Sequence, residues 1–348
     1  MRKLASVKRI DSIEPIEGAD AIELAIVGGW KVVVAKNVGH KEGDLVVYCE
    51  IDSFLPTEPE FEFLRKSSYK KLVDGTEGFR LKTIRLRGQI SQGLIIPLQD
   101  AIDVMKRRNG EVYTEMLQED KDVTEMLGIT KWDPAIPAVL SGTAKGNFPS
   151  FIHKTDEERV QNLTKYYNQW KDQNLEFYVT EKLDGSSSTF YYKDGEFGIC
   201  SRNLELKEND DNTFCKVAAE LGLKEKLTNL GRNLALQGEL IGEGIQGNRY
   251  KIKGHTVRFF NVFDIDKSEK VGYDEFHEIM NQLQLQTVPI TAVPGFKLPE
   301  TVADMVEFAE GKSIMNPNAE REGVVIRSRD NKISFKAISN KFLLKSGE

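Results

Sequence analysis

Apolar and polar positions alternate with a period of two through most of the first hundred residues, the signature of half-buried strands. The run from Lys8 to Ile13 leads into the turn-like Glu17-Gly18-Ala19-Asp20, and Ile22 to Val27 alternates after it. Gly28-Gly29 then turns the chain into Trp30 to Ala35. Gly39 and Gly43-Asp44 precede Leu45 to Cys49, and further strands are expected at Phe79 to Leu86 and Gly93 to Ile96. Short β-branched strands with close turns predict a small barrel. No long helix is needed before about Asp100, and Asp122 to Leu127 reads as a helical stretch.

The second half mixes periods. Thr155 followed by Glu158 has capping-box spacing, so a helix is expected to open there, with Val160, Leu163, Tyr167 and Trp170 on one face. Leu175 to Glu181 reads as a strand, and Asp194-Gly195 as the turn of a hairpin between Thr189–Tyr192 and Phe197–Cys200. Later strands are expected at Leu234 to Leu240, Val257 to Asp264, Gly323 to Arg327 and Lys332 to Lys336. Helices are expected near 213–221, 273–283 and 299–311. Strands and helices without regular alternation predict an α+β class. Pro134, Pro137, Gly142, Gly146 and Pro149 mark a breaker-rich stretch. The expected division is residues 1–135, a linker over 136–150, and residues 151–348.

Composition narrows the classes. With 348 residues and 40% hydrophobic positions, two domains with real cores are expected. No apolar run approaches the roughly 18–20 residues of a membrane span. The start, Met1 to Arg9, lacks a signal-peptide core. The 3 cysteines, Cys49, Cys200 and Cys215, have no Cys-x-x-Cys spacing, which disfavours a disulfide scaffold or a zinc site and fits a reducing cytoplasm. The net charge of −6 excludes a bulk-charge nucleic-acid coat but not a local basic stripe. Arg65-Lys66-Ser67-Ser68-Tyr69-Lys70-Lys71, then Arg80, Lys82, Arg85 and Arg87, then Lys106-Arg107-Arg108 form such a stripe. It reads either as a solvated face or as a phosphate-contacting surface.

Candidate chemistry begins at Lys182-Leu183-Asp184-Gly185, directly after a predicted strand. A surface turn would explain it. So would a nucleophilic lysine, which must lose its proton to attack and therefore needs desolvation or a neighbouring cation. A hydrated Mg²⁺ held by carboxylates would supply that cation. Other segments carry the groups such a reading requires: Ser201-Arg202-Asn203 after the hairpin, Glu239 beside Gly238 in an apolar strand, and Phe263-Asp264 ending another strand. Glu322 opens the strand from Gly323, and Lys336 lies on the last strand. Each is weak alone, and Phe263 alone reads as core. Their joint type, order and context make the signal.

These segments resemble, in order, the motifs of the covalent lysyl-nucleotidyltransferases: ATP-dependent DNA and RNA ligases and mRNA-capping guanylyltransferases. The chain looks most like the ATP-dependent RNA ligases of the Deinococcus and Naegleria type. The stretch from Phe148 to Asn162 resembles that branch. So does the domain order, because too few residues follow Lys336 for another domain and the β-rich segment precedes the catalytic one. Gly28 to Val34 and Lys41 to Tyr48 look like an OB-fold module. The resemblance implies an N-terminal OB-like β-barrel domain followed by a C-terminal nucleotidyltransferase domain of the ATP-grasp-like ligase type.

It also implies roles. Lys182 would attack the α-phosphate of ATP. Asp184, Glu239 and Glu322 would hold or hydrogen-bond hydrated Mg²⁺ (or Mn²⁺). Glu181, Arg202, Glu239, Phe263 and Lys336 would bind the nucleotide, with Arg202 on ribose or phosphate and Phe263 stacked on adenine. Lys154 and Arg159 would contact pyrophosphate or substrate, and Arg85 and Arg87 nucleic acid. The implied partners are ends and nicks in RNA or RNA/DNA duplexes, bound by a monomer without a membrane. One departure matters: many relatives carry Lys-x-Lys in the last motif, whereas Lys336 is flanked by Ser334 and Ile338. A second lysine, if required, would come from Lys332, Lys341 or Lys345. A DNA ligase, a GTP-using capping enzyme and a non-catalytic nucleic-acid-binding protein stay open as alternatives.

Overall fold

The computed structural model describes residues 3–72, 74–112, 116–132, 143–209 and 211–346. The chain forms two compact units, Met1–Ala135 with Gln161–Thr164 and Leu343–Glu348, and Ile136–Val160 with Lys165–Phe342. No helix among the described residues is long and apolar enough to cross a membrane.

The first unit is built from short antiparallel strands, as the alternation predicts. Leu45–Cys49 is the centre of a three-stranded sheet, between Ala5–Arg9 and Leu94–Pro97. Ser12–Pro15, Ile22–Val27 and Trp30–Ala35 form a second sheet. Inward residues of the strands, among them Val7, Val47, Leu55, Phe79 and Ile96, meet Ala101, Val104 and Met105 of the helix Leu98–Asn109 in one core. The expected helix at 122–127 is instead a set of turns, because Asp122 accepts from the Thr124 N–H (3.0 Å) and hydroxyl (2.6 Å). Such local side-chain bonds compete with helix. The buried Trp30 donates to Asn162 (2.6 Å), which donates to Glu50 (2.6 Å), and these bonds tie 161–164 into this unit.

The second unit holds two sheets. One has seven strands in the order Ala144–Asn147, Leu204–Leu206, Glu196–Cys200, Ser186–Lys193, Leu234–Gly242, His255–Asp264 and Glu269–Lys270. Helices Thr213–Glu220, Leu223–Leu230 and Tyr273–Gln282 cover its outer face, packing Phe214, Leu227, Phe276 and Met280 on Leu236, Phe259 and Val262. The other has five strands in the order Glu158–Arg159, Ser334–Ile338, Gly323–Ser328, Phe177–Lys182 and Ile290–Phe296. Trp170 stacks on Phe335 behind it, with ring centroids 5.4 Å apart.

Two expectations fail here. Of the expected linker, 136–142 lies outside the described residues, and Ala144–Asn147 is an edge strand paired with Leu204–Leu206. The helix expected at Thr155 begins only at Thr164. The Thr155 hydroxyl faces that of Ser187 at 3.3 Å instead of capping, and Glu158–Arg159 pairs in parallel with Phe335–Lys336. Sheet pairing outcompetes a local cap whose helix has no face to bury there.

The segment leading to that strand carries Glu157 into a buried cluster with Lys270 (3.4 Å) from one sheet and Arg327 (3.6 Å) from the other. Burial opposes the charged carboxylate, but Arg327 and then Lys270 outweigh it and hold it below its ordinary 4.5. The stabilisation is therefore complete above that ordinary value and is lost as the pH falls through the lowered one. Glu157→Gln is expected to destabilise this unit at neutral pH by about 3 kcal/mol, since it leaves buried cations uncompensated. Thermal unfolding should show the gap to wild type closing in acid. A gap that persists there would contradict the ion-pair account.

Candidate active site

Strand register places the site. Lys182 ends its strand opposite Gly323, which is itself opposite Ile338. Two residues back, Thr180, Val325, Lys336 and Arg159 stand in one row. Side chains two apart along a strand share a face. Lys182, Lys336, Arg159 and Arg327 thus lie on one face of the five-stranded sheet, where Arg327 donates to Thr180 Oγ1 (3.1 Å). The close pairing needs Gly323, because a Cβ there would come within 2.2 Å of the Ala337 carbonyl oxygen.

Lys182 Nζ is 2.7 Å from Glu322 Oε1. The turn after it folds back on the glutamate strand, and the Gly185 N–H donates to Glu239 Oε1 (3.0 Å). Gly185 serves this approach: a Cβ would lie 2.4 Å from the Leu240 carbonyl oxygen. Asp184 is held from a third side. Arg249 donates to its Oδ2 through Nε (3.1 Å) and lies 2.9 Å from it through Nη2, and its own N–H donates to the Tyr250 hydroxyl (2.6 Å).

Charge in this cluster is unbalanced. Burial alone would favour neutral Lys182, but Glu322, Glu239 and Asp184 outweigh it and hold the ammonium up at about 12. Burial, then the neighbouring Glu322, pushes Asp184 up to about 6 despite Arg249 and Lys182. Burial pushes Glu239 up to about 8, against the pull of Lys182. Carboxylates in excess of their cations are the donor set for a divalent ion. Among the described residues no three such side chains converge closely enough to ligate one ion directly. The set therefore fits an ion that keeps much of its water.

The other expected residues divide. Lys336 and Arg159 stand side by side in register. Of the three candidates for a second lysine, Lys332 is 4.0 Å from Asp330, Lys341 is 2.8 Å from Glu310, and Lys345 is exposed near the end of the helix Asn340–Ser346. Arg159 takes the place beside Lys336. Arg202 is half exposed and pairs with Asp156 (2.9 Å), while Lys154 donates to Asn203 (2.9 Å), so the two meet at one turn. Glu181 is buried, and its Oε2 accepts from the Ile314 N–H (2.8 Å) while Oε1 has no hydrogen-bond partner among the described residues. Arg85 and Arg87 are exposed on the hairpin of Ile84–Leu86 and Gln89–Ser91, and Arg87 is left-handed (φ 48°).

Phe263 is corrected. It is fully buried with Ile152, Tyr191, Cys200 and Ala235, and its ring faces His153 at 5.0 Å, so no base reaches it. The pairing of Leu234–Gly242 with His255–Asp264 shifts register between Gln237 and Gly238, which pair with Asn261 and Phe259. This bulge leaves Phe260 without a partner, only partly buried, with the Arg327 guanidinium 5.8 Å from its ring. Phe260, Arg249 and Tyr250 were not singled out from sequence. A bulge and a contact across a loop leave no local pattern to read.

Residues 4–98 match an OB-fold domain family, and residues 175–345 match the RNA ligase family. A search of curated protein sequences gave no match. Among solved structures, Naegleria gruberi RNA ligase with pyrophosphate is 44% identical, with 99% of this chain and 98% of that one covered and a TM-score of 0.88. A variant of the same ligase with ATP and Mn is 43% identical, covering 100% of both chains at a TM-score of 0.89. Another, with AMP and Mn, is 43% identical over 98% of each chain at 0.89. An OB-fold domain followed by this catalytic unit, with such identity over the whole length, places the chain in the RNA ligase family.

Proposed function

We propose that this chain is an ATP-dependent ligase that joins a 3′-hydroxyl to a 5′-phosphate at ends or nicks in RNA or RNA/DNA duplexes. The observation that carries this reading is Lys182 at a strand end, 2.7 Å from Glu322 and on the same face as Lys336 and Arg159. The neutral amine of Lys182 attacks the α-phosphate of ATP, a phosphorus–nitrogen bond forms, and pyrophosphate leaves. Its proton passes to a base, and Glu322 is within reach. The 5′-phosphate of the RNA then displaces Lys182 and takes the AMP. Finally the 3′-hydroxyl attacks that phosphate and AMP leaves.

Lys336 and Arg159 neutralise charge that grows on the phosphate oxygens, and Arg202 and Lys154 meet the ribose or the outer phosphates. Glu181 Oε1 is an acceptor for the adenine amino group. Asp184, Glu239 and Glu322 would hold hydrated Mg²⁺ or Mn²⁺. The ion would favour the neutral amine and offset phosphate charge. Arg85 and Arg87 contact the nucleic-acid backbone, and the chain works as a monomer in the cytoplasm.

Phe260 replaces Phe263 as the base-stacking ring. Phe260→Ala is expected to weaken ATP binding by about 1–3 kcal/mol with the fold kept. Phe263→Ala is expected to cost about 3–5 kcal/mol of stability through the cavity it leaves. Nucleotide titration beside thermal unfolding separates the two, and the opposite pattern would return the adenine to Phe263. The function itself is tested with nicked duplexes bearing RNA or DNA 3′ ends, each with ATP or GTP. Sealing with ATP and an RNA 3′ end is the expected result. A preference for DNA 3′ ends or for GTP would move the chain to one of the alternative reactions.

A further inference from the structure

The loop that joins the glutamate strand to the next, residues 243–254, does more than connect them. It is closed at its base by Glu243 N–H to the Gly254 carbonyl (3.0 Å). It is braced inside by Asn248, which donates to the Ile252 carbonyl (2.9 Å) and accepts from the Ile252 N–H (3.0 Å). Gln246, Asn248 and Lys251 are all left-handed, with φ of 43°, 45° and 53°. Such backbone is costly for residues other than glycine and persists where the surroundings impose it. Arg249 and Tyr250 turn inward and grip Asp184 from its side chain and its N–H. Asn316 donates to the Arg249 carbonyl (2.9 Å) and fixes the same point from the other side.

The middle of the loop is pinned at Asp184, two residues from Lys182, and the next charged residues along the chain follow directly from that point. Those are Lys251 and Lys253, both exposed. Neither ammonium has an ion pair or a hydrogen bond among the described residues. Two residues apart, they can reach backbone phosphates along one strand.

We propose that Lys251 and Lys253 bind the phosphodiester backbone of the strand whose 5′-phosphate is being activated, next to its reacting end. The inference rests on the ligase reading above and assigns a nucleic-acid contact to the catalytic unit itself. The test compares wild type with Lys251→Glu/Lys253→Glu and with the milder Lys251→Gln/Lys253→Gln. Single-turnover rates are read separately for lysine adenylylation by ATP and for AMP transfer from preformed enzyme–AMP to a nicked duplex, over a range of salt.

Transfer should fall by about tenfold or more beyond any fall in adenylylation, with the glutamine pair intermediate. The dependence of nick binding on salt should become shallower by about 0.9 per lysine lost. Unchanged transfer with an unchanged salt slope would overturn the assignment. So would equal losses in both steps, which would mean that the loop acts only by holding Asp184. A wild-type chain that forms no enzyme–AMP would remove the ligase reading together with this proposal, whereas a wild type that transfers AMP as well as the variants do would remove only the proposal.

Discussion

Lys182→Ala is expected to abolish transfer of label from α-labelled ATP to the protein while leaving the fold intact. The side chain is 28% exposed and ion-paired with Glu322 at the end of its strand, so its removal leaves no core cavity. What it removes is the amine proposed to form the phosphoramidate. Loss of a covalent nucleophile costs about four orders of magnitude or more. A shape-conserving Lys182→Met should behave alike. Circular dichroism and melting check the fold, and label retained on folded Lys182→Ala would sink the assignment.

The second large effect concerns the metal. With Asp184 pushed up to about 6 and Glu239 to about 8, the site carries more acidic groups than Lys182 and Arg249 balance. Chelation of divalent ions is therefore expected to stop adenylylation, and Mg²⁺ or Mn²⁺ to restore it. Glu322→Gln keeps the volume but removes one negative charge beside Lys182. It should raise the metal concentration needed for half-maximal labelling by about 10–100-fold. Titrating Mg²⁺ against initial labelling rate reads this directly. An unchanged metal requirement would show that Glu322 acts on Lys182 alone.

The proposed site leaves a trace in sequence because Lys182 ends an apolar strand, Glu322 precedes one and Glu239 lies inside one, at positions that need no charge for folding. The hairpin at Asp194-Gly195 was equally plain, with both residues left-handed and Lys193 pairing with Glu196. Failures came where tertiary contacts overrode local pattern. Thr155 and Glu158 have the spacing of a helix start, yet sheet pairing claims Glu158–Arg159. Ala144–Asn147 lies in breaker-rich sequence and becomes a strand only because Leu204–Leu206 offers it an edge. Phe263 and Phe260 look alike in sequence, and only the bulge opposite Gly238 decides which ring is buried. The place of Arg159 beside Lys336 is likewise set by parallel register, between residues far apart in the chain.

The central claim is that Lys182 carries AMP covalently. The most direct measurement incubates protein freed of bound nucleotide with ATP and Mg²⁺, digests it, and maps the adduct by mass spectrometry. A single AMP on the peptide containing Lys182, joined by an acid-labile bond, is the predicted result. AMP on another residue, or no adduct on folded protein, would contradict it.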